Sequence, residues 1–250
     1  MSTDRMDMKV APVTKIIDHS VVDGPGNRAA IFLQGCNFNC AYCHNPETID
    51  PGEEPPTLQY LTPEQVVDRI AASVPFIRGI TISGGECMLH EQFVYDVCRL
   101  AKRRFGQQFS CLLDSNGSVP YDKILSVVDG VMLDVKASNE RAHRELTGAS
   151  LAPVLEQVAA LAKEGKLAEV RTVVMGDASD AFRIVQNVSA VIEAASEGKR
   201  IAKIPYKLIR YRPKGVRKQY LKDIKVPKAE SLAQLKEHAE QLGFSPVTVI

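Results

Sequence analysis

The sequence predicts an α/β protein built around a parallel β-sheet. Short apolar runs alternate with segments of helical apolar spacing along most of the chain, a pattern typical of repeated strand–helix–strand units. Clusters of polar residues follow four of the apolar runs, and the carboxyl ends of parallel strands are where such folds gather functional groups. Because the connections are right-handed, a complete barrel, a partial barrel and a doubly wound sheet all agree with this pattern.

The predicted elements follow one another in a regular order. Arg28–Leu33 is a short apolar run and predicts the first strand. A helix is predicted from Thr62 to about Ser73, because Thr62 suits the N-cap and Pro63 suits the first helical position. Further strands are predicted at Gly79–Ile82, Phe109–Leu113, Val131–Val135, Glu169–Val174, Ile204–Ile209 and Val247–Ile250. Further helices are predicted at Leu89–Phe105, Pro120–Val127, Asn139–Leu146, Leu151–Lys163, Asp180–Ala195 and Lys228–Gln241.

These elements are expected to form one domain over residues 1–250. The chain has 250 residues, of which 45% are hydrophobic, and this is enough apolar surface for one sizeable core. We expect residues 1–12 to be an N-terminal extension and the proline-rich stretch Ile49–Pro56 to be a loop. Residues 203–250 are expected to form a basic segment followed by a closing helix and strand.

Composition and charge restrict the class of partner. No stretch approaches ~20 uninterrupted apolar residues, and the polar, charged start of the chain has no secretory pattern, so we expect a cytoplasmic protein without a membrane span. The net charge of +1 gives no reason to expect a nucleic-acid partner. Lys203–Lys225 nevertheless holds nine basic residues and one acid, with tyrosines between them. We favour docking of an acidic protein there over contact with RNA.

Three of the six cysteines lie close together, and this group carries the main functional prediction. Cys36, Cys40 and Cys43 form a Cys-x3-Cys-x2-Cys array within one short loop. Thiolates are the soft ligands of iron–sulfur clusters and zinc, and three of them on one cubane leave the fourth iron open to a substrate. A structural zinc site with His44 as the fourth ligand is the alternative, although zinc sites usually combine two separated ligand pairs.

The other three cysteines are predicted to lie outside the ligand set. Cys98 and Cys111 have apolar neighbours and are expected to be buried as small hydrophobic side chains. Cys87 follows a Gly-Gly-Glu turn, so we expect it near the site without a ligand role.

The cysteine loop, with Tyr42 in its aromatic position, resembles the signature of the radical S-adenosylmethionine superfamily. The stretch Ile82–Glu86 resembles the Gly-Gly-Glu strand of the same superfamily. The Asp-Gly-Pro-Gly stretch within Val22–Arg28 and the Asp-Val-Lys stretch within Met132–Lys136 are similar to the glycyl-radical-enzyme activating enzymes, of which pyruvate formate-lyase activating enzyme is a member. The likeness covers roughly residues 13–210, and the stretches Val13–Asn27 and Arg210–Arg217 resemble the branch called YjjW.

This resemblance implies a partial (β/α)6 barrel of the radical S-adenosylmethionine type. It also implies one [4Fe–4S] cluster and S-adenosylmethionine, which is cleaved reductively to a 5′-deoxyadenosyl radical that abstracts hydrogen from a glycine of a partner glycyl radical enzyme. No cysteine lies between Cys43 and Glu86, so the second-cluster insert of some relatives is not expected. A flavodoxin- or ferredoxin-type protein is implied as electron donor. A radical enzyme acting on RNA or a small molecule, and a zinc-binding regulatory module, remain as alternatives.

The resemblance also implies roles for residues around the cofactor. Cys36, Cys40 and Cys43 are expected to bind the cluster. Glu86 is expected to accept a hydrogen bond from the cofactor ammonium, and Arg171 to pair with its carboxylate. The remaining residues expected to contact the cofactor are Tyr42 against adenine, Gly84 and Gly85 through their backbone, and Asp134.

Two further groups of residues are implied near the reacting atoms. Lys136 and Asp23 are expected to face the glycine loop of the partner and act in catalysis. A monovalent cation, Na⁺ or K⁺, is expected beside the cofactor, since hard oxygen ligands suit such ions. Its expected ligands are Asp114, Ser115, Met132 and Asp134.

Overall fold

The structure is a computed structural model that describes residues 10–49, 57–196 and 204–250. The chain divides into two compact units. The first contains the chain up to Cys36, Glu47–Asp114 and Tyr121–Asp129, and the second contains Asn37–Pro46, Ser115–Pro120 and Gly130–Ile250. Three parts of these expectations lie outside the described residues: residues 1–9 of the 1–12 extension, residues 50–56 of the Ile49–Pro56 loop, and Lys203. The single-domain expectation stays a prediction.

The first unit combines an antiparallel edge with parallel strands. Its strands are β1 (Ala11–Ser20), β2 (Arg28–Leu33), β3 (Gln59–Leu61), β4 (Gly79–Gly84) and β5 (Ser110–Ser115). Strands β2, β4 and β5 run parallel to one another, whereas β1 is antiparallel to both β2 and β3. Its helices are α1 (Pro63–Ile70) and α2 (Glu91–Phe105), each adjoining a short 3-10 helix, at Ala71–Phe76 and Cys87–His90 respectively.

The second unit is built on parallel strands. They are β6 (Gly130–Asp134), β7 (Leu167–Val174), β8 (Tyr206–Arg210) and β9 (Val247–Val249), paired in that order. Its helices are α3 (Glu140–Thr147), α4 (Ala152–Lys163), α5 (Ser179–Ala195) and α6 (Ala229–Gln241), with a 3-10 helix at Lys218–Tyr220. Among the described residues, no helix is long and apolar enough to cross a bilayer.

The central strands explain why the apolar runs were informative. In β4 every residue except the last is buried, because both faces are covered, and such strands read as continuous apolar runs. Helix α1 begins as its sequence predicts: the Thr62 hydroxyl accepts from the backbone N–H of Gln65, and the Gln65 side chain accepts from the Thr62 N–H. The predicted α/β class with parallel strands is confirmed.

Three elements differ from the sequence prediction. Strands β1 and β3 were not predicted, and Ala11 and Pro12 belong to β1 instead of an extension. Strand β1 is mostly half-exposed, so it lacks the continuous apolar run of a central strand. The predicted helix at Pro120–Val127 is wrong, because this stretch forms only hydrogen-bonded turns and is too short to sustain a helix by itself.

Candidate functional site

The backbone around Cys36 is fixed within the first unit. Directly after β2, the Gly35 N–H donates to the Thr48 carbonyl over 2.9 Å, and the Cys36 N–H donates to Ile49 over 3.4 Å. The Gly35 carbonyl in turn accepts from the Glu86 N–H at 2.8 Å. The residue that precedes the first cysteine is therefore held on both sides by backbone hydrogen bonds.

Gly84 and Gly85 allow two backbones to approach each other at this point. A Cβ on Gly85 would lie 2.1 Å from the Gly35 oxygen and 2.8 Å from the Thr48 oxygen. A Cβ on Gly84, which has a φ of +126°, would lie 2.1 Å from the Leu33 oxygen. Glycine is needed at both positions because a side chain would clash with the backbone that leads into the cysteine loop. Direct cofactor contact by the two glycines stays a prediction.

Glu86 is fully buried, and it is the N-cap residue of the next helix. Its Oε1 accepts from the Met88 N–H at 3.0 Å, which caps the 3-10 helix at Cys87–His90. A carboxylate has further acceptor sites, so this cap is compatible with the predicted bond to an ammonium group. The Cys87 thiol lies 3.8 Å from Glu86 Oε1, and burial, with a smaller effect from Glu86, raises its pKa. The expectation that Cys87 is not a ligand stays a prediction.

The second half of the cysteine loop is fixed within the second unit. The backbone N–H groups of Asn39 and Ala41 donate to the carbonyls of Thr147 and Leu146, over 2.7 and 2.9 Å. These carbonyls belong to the last turn of α3, where helical acceptors have no partner within the helix. The backbone on both sides of Cys40 is therefore fixed by a helix terminus.

Tyr42 lies in a small apolar core of the second unit. Its ring is 6% exposed and packs with Tyr211 and Val216. The Lys136 ammonium lies 5.7 Å from the ring centroid, and burial raises the pKa of the Tyr42 phenol. The predicted contact with adenine stays a prediction, because the described contacts of the ring are with this core.

Lys136 and Asp134 form a pair next to Tyr42. The Lys136 ammonium donates to Asp134 Oδ2 at 2.7 Å, and their side chains are 10% and 27% exposed. Burial alone would lower the pKa of Lys136, but the Asp134 carboxylate outweighs it and raises this pKa well above its usual value. Lys136 is therefore a cation held by Asp134, and its contact with a partner loop stays a prediction.

Arg171 is engaged by neighbours that the sequence did not reveal. Its Nε donates to Glu169 Oε1 at 2.6 Å, and its Nη2 lies 3.0 Å from the Met132 sulfur. The Lys207 ammonium contacts the same Glu169 oxygen at 3.0 Å. Glu169 thus orients two cations on adjacent strands, and a bond from Arg171 to the cofactor carboxylate stays a prediction.

The four expected cation ligands have separate contacts. Asp114, in the first unit, accepts from the Ser83 hydroxyl at 3.3 Å. In the second unit, the Ser115 hydroxyl accepts from the Gly117 N–H at 3.3 Å, while Met132 and Asp134 contact Arg171 and Lys136 as described. Throughout residues 10–49, 57–196 and 204–250, no three His, Cys, Asp or Glu side chains are gathered at metal-binding distances. The Na⁺ or K⁺ site stays a prediction.

Asp23 lies in a turn fixed by a buried arginine. Thr81, in β4, donates to the Asp23 carbonyl at 2.6 Å and accepts from Arg28 Nε at 2.9 Å. Arg28 is 2% exposed, and burial lowers its pKa to about 10. This role of Arg28 was not predicted, although a lone cation at the start of an apolar strand is a signal for it. Whether Asp23 faces a partner loop stays a prediction.

The chemistry of the three thiols suits an iron–sulfur cluster. Three thiol side chains lie within the eight residues Cys36–Cys43, and thiolates are the ligands that iron–sulfur clusters require. None of the six cysteines, all of which lie in the described ranges, takes part in a disulfide. Cys98 and Cys111 are fully buried, as predicted. That Cys36, Cys40 and Cys43 hold the cluster stays a prediction.

Comparison with known proteins identifies the family of this chain. A family model described as the radical SAM superfamily, where SAM is S-adenosylmethionine, matches residues 30–183. A Haemophilus influenzae protein named as a glycyl-radical enzyme activating enzyme is 33% identical over 268 residues, covering 96% of each chain. Pyruvate formate-lyase 1-activating enzyme of Escherichia coli is 34% identical over 230 residues, covering 89% of this chain and 92% of that one.

A solved structure shares the fold at low sequence identity. The crystal structure of QueE from Escherichia coli matches with a TM-score of 0.60 and 14% identity, covering 100% of this chain and 99% of the other. The chain belongs to the radical SAM superfamily. Within it, the chain belongs with the glycyl-radical enzyme activating enzymes, whose members are 33% and 34% identical to it. The predicted family and the partial-barrel fold of the radical SAM type are confirmed.

Proposed function

We propose that this protein activates a glycyl radical enzyme. When bound, a [4Fe–4S] cluster supplies one electron that cleaves S-adenosylmethionine to methionine and a 5′-deoxyadenosyl radical, which takes a hydrogen atom from a glycine Cα of the partner to give 5′-deoxyadenosine and a glycyl radical. The observation that carries this proposal is the three-cysteine loop, anchored by backbone hydrogen bonds at Cys36 and around Cys40, in a chain of this family.

The protein's own residues would bind and orient the reactants. Cys36, Cys40 and Cys43 would hold the cluster, and Glu86 would accept a hydrogen bond from the ammonium of S-adenosylmethionine. Groups that bind and orient a cofactor fix the geometry of the reacting atoms, which is the main contribution of protein to cofactor chemistry. The pairing with Asp134 keeps Lys136 protonated at neutral pH, so it would present a fixed positive charge.

We further propose an acidic flavodoxin- or ferredoxin-type protein as the electron donor. Three exposed cations, at Arg212, Lys214 and Lys218, lie in the second unit. In the same stretch, Arg217 is hydrogen-bonded to the carbonyl of Cys40. A donor with a negative surface would be attracted to these charges, and raised salt should slow electron transfer.

The test begins with the metal and the cofactor. Protein reconstituted without oxygen should hold about four irons per chain, and it should release 5′-deoxyadenosine from S-adenosylmethionine after reduction. Cys40→Ala should lose both properties, whereas Cys98→Ala, a buried cysteine outside the loop, should keep them. Zinc in place of iron, or cleavage retained in Cys40→Ala, would refute the ligand assignment.

The second stage tests the partner. Mixing the reduced protein and S-adenosylmethionine with a glycyl radical enzyme should produce the doublet electron paramagnetic resonance signal of a glycyl radical. Purified RNA serves as the competing substrate in a parallel reaction. Modification of the RNA, without a glycyl signal on any glycyl radical enzyme tried, would instead support the RNA-modifying alternative.

A further inference from the structure

We propose that Arg217 is a positioning residue that holds the Cys40 segment of the cysteine loop. This inference rests on the proposed function, in which Cys40 is a cluster ligand. The residue lies in the basic segment, far from the loop in sequence, and it belongs to the same compact unit as Cys40.

The Arg217 guanidinium bonds to three oxygens of the loop. Its Nη1 donates to Asn39 Oδ1 at 2.6 Å, and its Nη2 donates to the carbonyls of Asn39 and Cys40 at 3.2 and 2.9 Å. The guanidinium carbon lies 4.8 Å from the centroid of the Tyr220 ring, which supports the group from its face. A planar group with five fixed donors can span these acceptors, whereas a single ammonium cannot.

Neighbouring residues of the same segment hold the next part of the loop. We call residues 212–217 the strap. The His44 Nε2 atom lies 2.7 Å from the Arg212 carbonyl. A Cβ on Gly215, which has a φ of +88°, would lie 2.7 Å from the His44 carbonyl. The strap therefore contacts the loop before and after the Cys40–Cys43 pair.

The strap and α3 restrain the loop through different groups. Helix α3 accepts from the N–H groups of Asn39 and Ala41, whereas Arg217 donates to the carbonyls of Asn39 and Cys40. The peptide that carries Cys40 is thus bonded through both donors and acceptors. Because Arg217 is also charged, it should favour the reduced, more negative state of a cluster bound at Cys40.

Two substitutions separate the geometric effect from the effect of charge. Arg217→Lys keeps the positive charge but loses the planar guanidinium that reaches several acceptors, whereas Arg217→Gln loses the charge but keeps an amide donor. Arg217→Ala removes both. Lys222→Ala is the matched control, because Lys222 is an exposed cation of the same basic segment outside the strap.

The experiment measures the rate of iron loss to a chelator and the midpoint potential of the cluster, both without oxygen. Loss of a group that orients a metal ligand typically weakens binding tenfold to a hundredfold, so Arg217→Ala should lose iron roughly tenfold faster than Lys222→Ala. Arg217→Lys should fall between them. Arg217→Gln and Arg217→Ala should shift the midpoint potential to more negative values, and Arg217→Lys should shift it less.

Several results would overturn the inference. Arg217→Ala matching Lys222→Ala in both iron loss and potential would do so, provided that circular dichroism shows both variants folded. If Arg217→Ala fails to fold, equal behaviour of Arg217→Lys, Arg217→Gln and Lys222→Ala would do the same. Wild-type protein that binds no iron would instead refute the proposed function, which is a distinct outcome.

Discussion

Replacing Gly85 by alanine tests whether backbone contact at the base of the cysteine loop requires glycine. The added Cβ would lie 2.1 Å from the Gly35 oxygen and 2.5 Å from its carbonyl carbon. Ordinary contact between such atoms begins near ~3.5 Å, so the two backbones would have to separate by more than an ångström. This shift would strain the hydrogen bond from the Glu86 N–H to the Gly35 carbonyl, which is now 2.8 Å long.

The magnitude follows from the overpacking. Forcing extra methyl groups into a packed site costs typically 1–3 kcal/mol, and rigid backbone on both sides places Gly85→Ala near the upper limit, at about 3 kcal/mol. For a chain of this size, 1 kcal/mol lowers the melting temperature by about 2–4 °C, so a decrease of about 6–12 °C is expected. The shift would also displace Cys36, which follows Gly35 directly.

Thermal unfolding followed by circular dichroism measures the loss of stability, and iron content after reconstitution measures the effect on the loop. Gly165→Ala is the control, because a Cβ there meets nothing within 4 Å although its φ is +65°. The control should cost about 1–2 kcal/mol, the price of a left-handed conformation without a clash. Equal melting temperatures and equal iron contents for the two variants would refute the steric reasoning.

Three further predictions concern buried polar groups of the second unit. Lys136→Met removes the cation paired with Asp134 and should reduce partner activation more than S-adenosylmethionine cleavage, whereas equal loss in both assays would contradict a partner-facing role. Burial lowers the pKa of His143 in the folded protein, so the unfolded chain binds a proton more readily at this residue. The free energy of unfolding should therefore be highest above about pH 6.5 and decrease as the pH falls through the folded pKa. Urea unfolding of His143→Gln should show a smaller decrease over this pH range. Thr172→Val leaves the buried Tyr206 hydroxyl without its 2.8 Å partner and should cost about 1–3 kcal/mol in urea unfolding, which Thr172→Ser should restore.

The elements that sequence could predict are those whose pattern is local. Strands β2 and β4 are buried on both faces and appear as apolar runs, and the start of α1 is marked by Thr62 and Pro63. The three-residue β3 and the largely half-exposed β1 carry no such pattern, because their pairing with each other and with β2 depends on the rest of the sheet.

The residues of the candidate site also include some that a local sequence pattern could predict and others that it could not. The spacing of Cys36, Cys40 and Cys43 is a local signal, and it led to the family that the comparisons confirm. Arg217 lies 178 residues from Asn39, and most of its acceptors are backbone carbonyls, which leave no trace in residue types. The Gly-Gly pair did give a signal, since glycine marks a close approach, but the sequence could not identify the approaching group.

The anchoring of the cysteine loop explains why glycine and arginine occur at these distant positions. Around Cys36, backbone pairs with backbone, so the requirement is for the absence of a side chain, which Gly85 meets. Around Cys40, the carbonyls of Asn39 and Cys40 both accept from Arg217, and the Cys40 carbonyl also accepts from the Cys43 N–H, so a donor that reaches several oxygens at once is needed, which Arg217 provides. A ligand loop without regular secondary structure has few backbone partners of its own, and surrounding residues supply most of the others. The basic segment therefore helps to hold the cysteine loop in place, in addition to presenting an exposed charged surface.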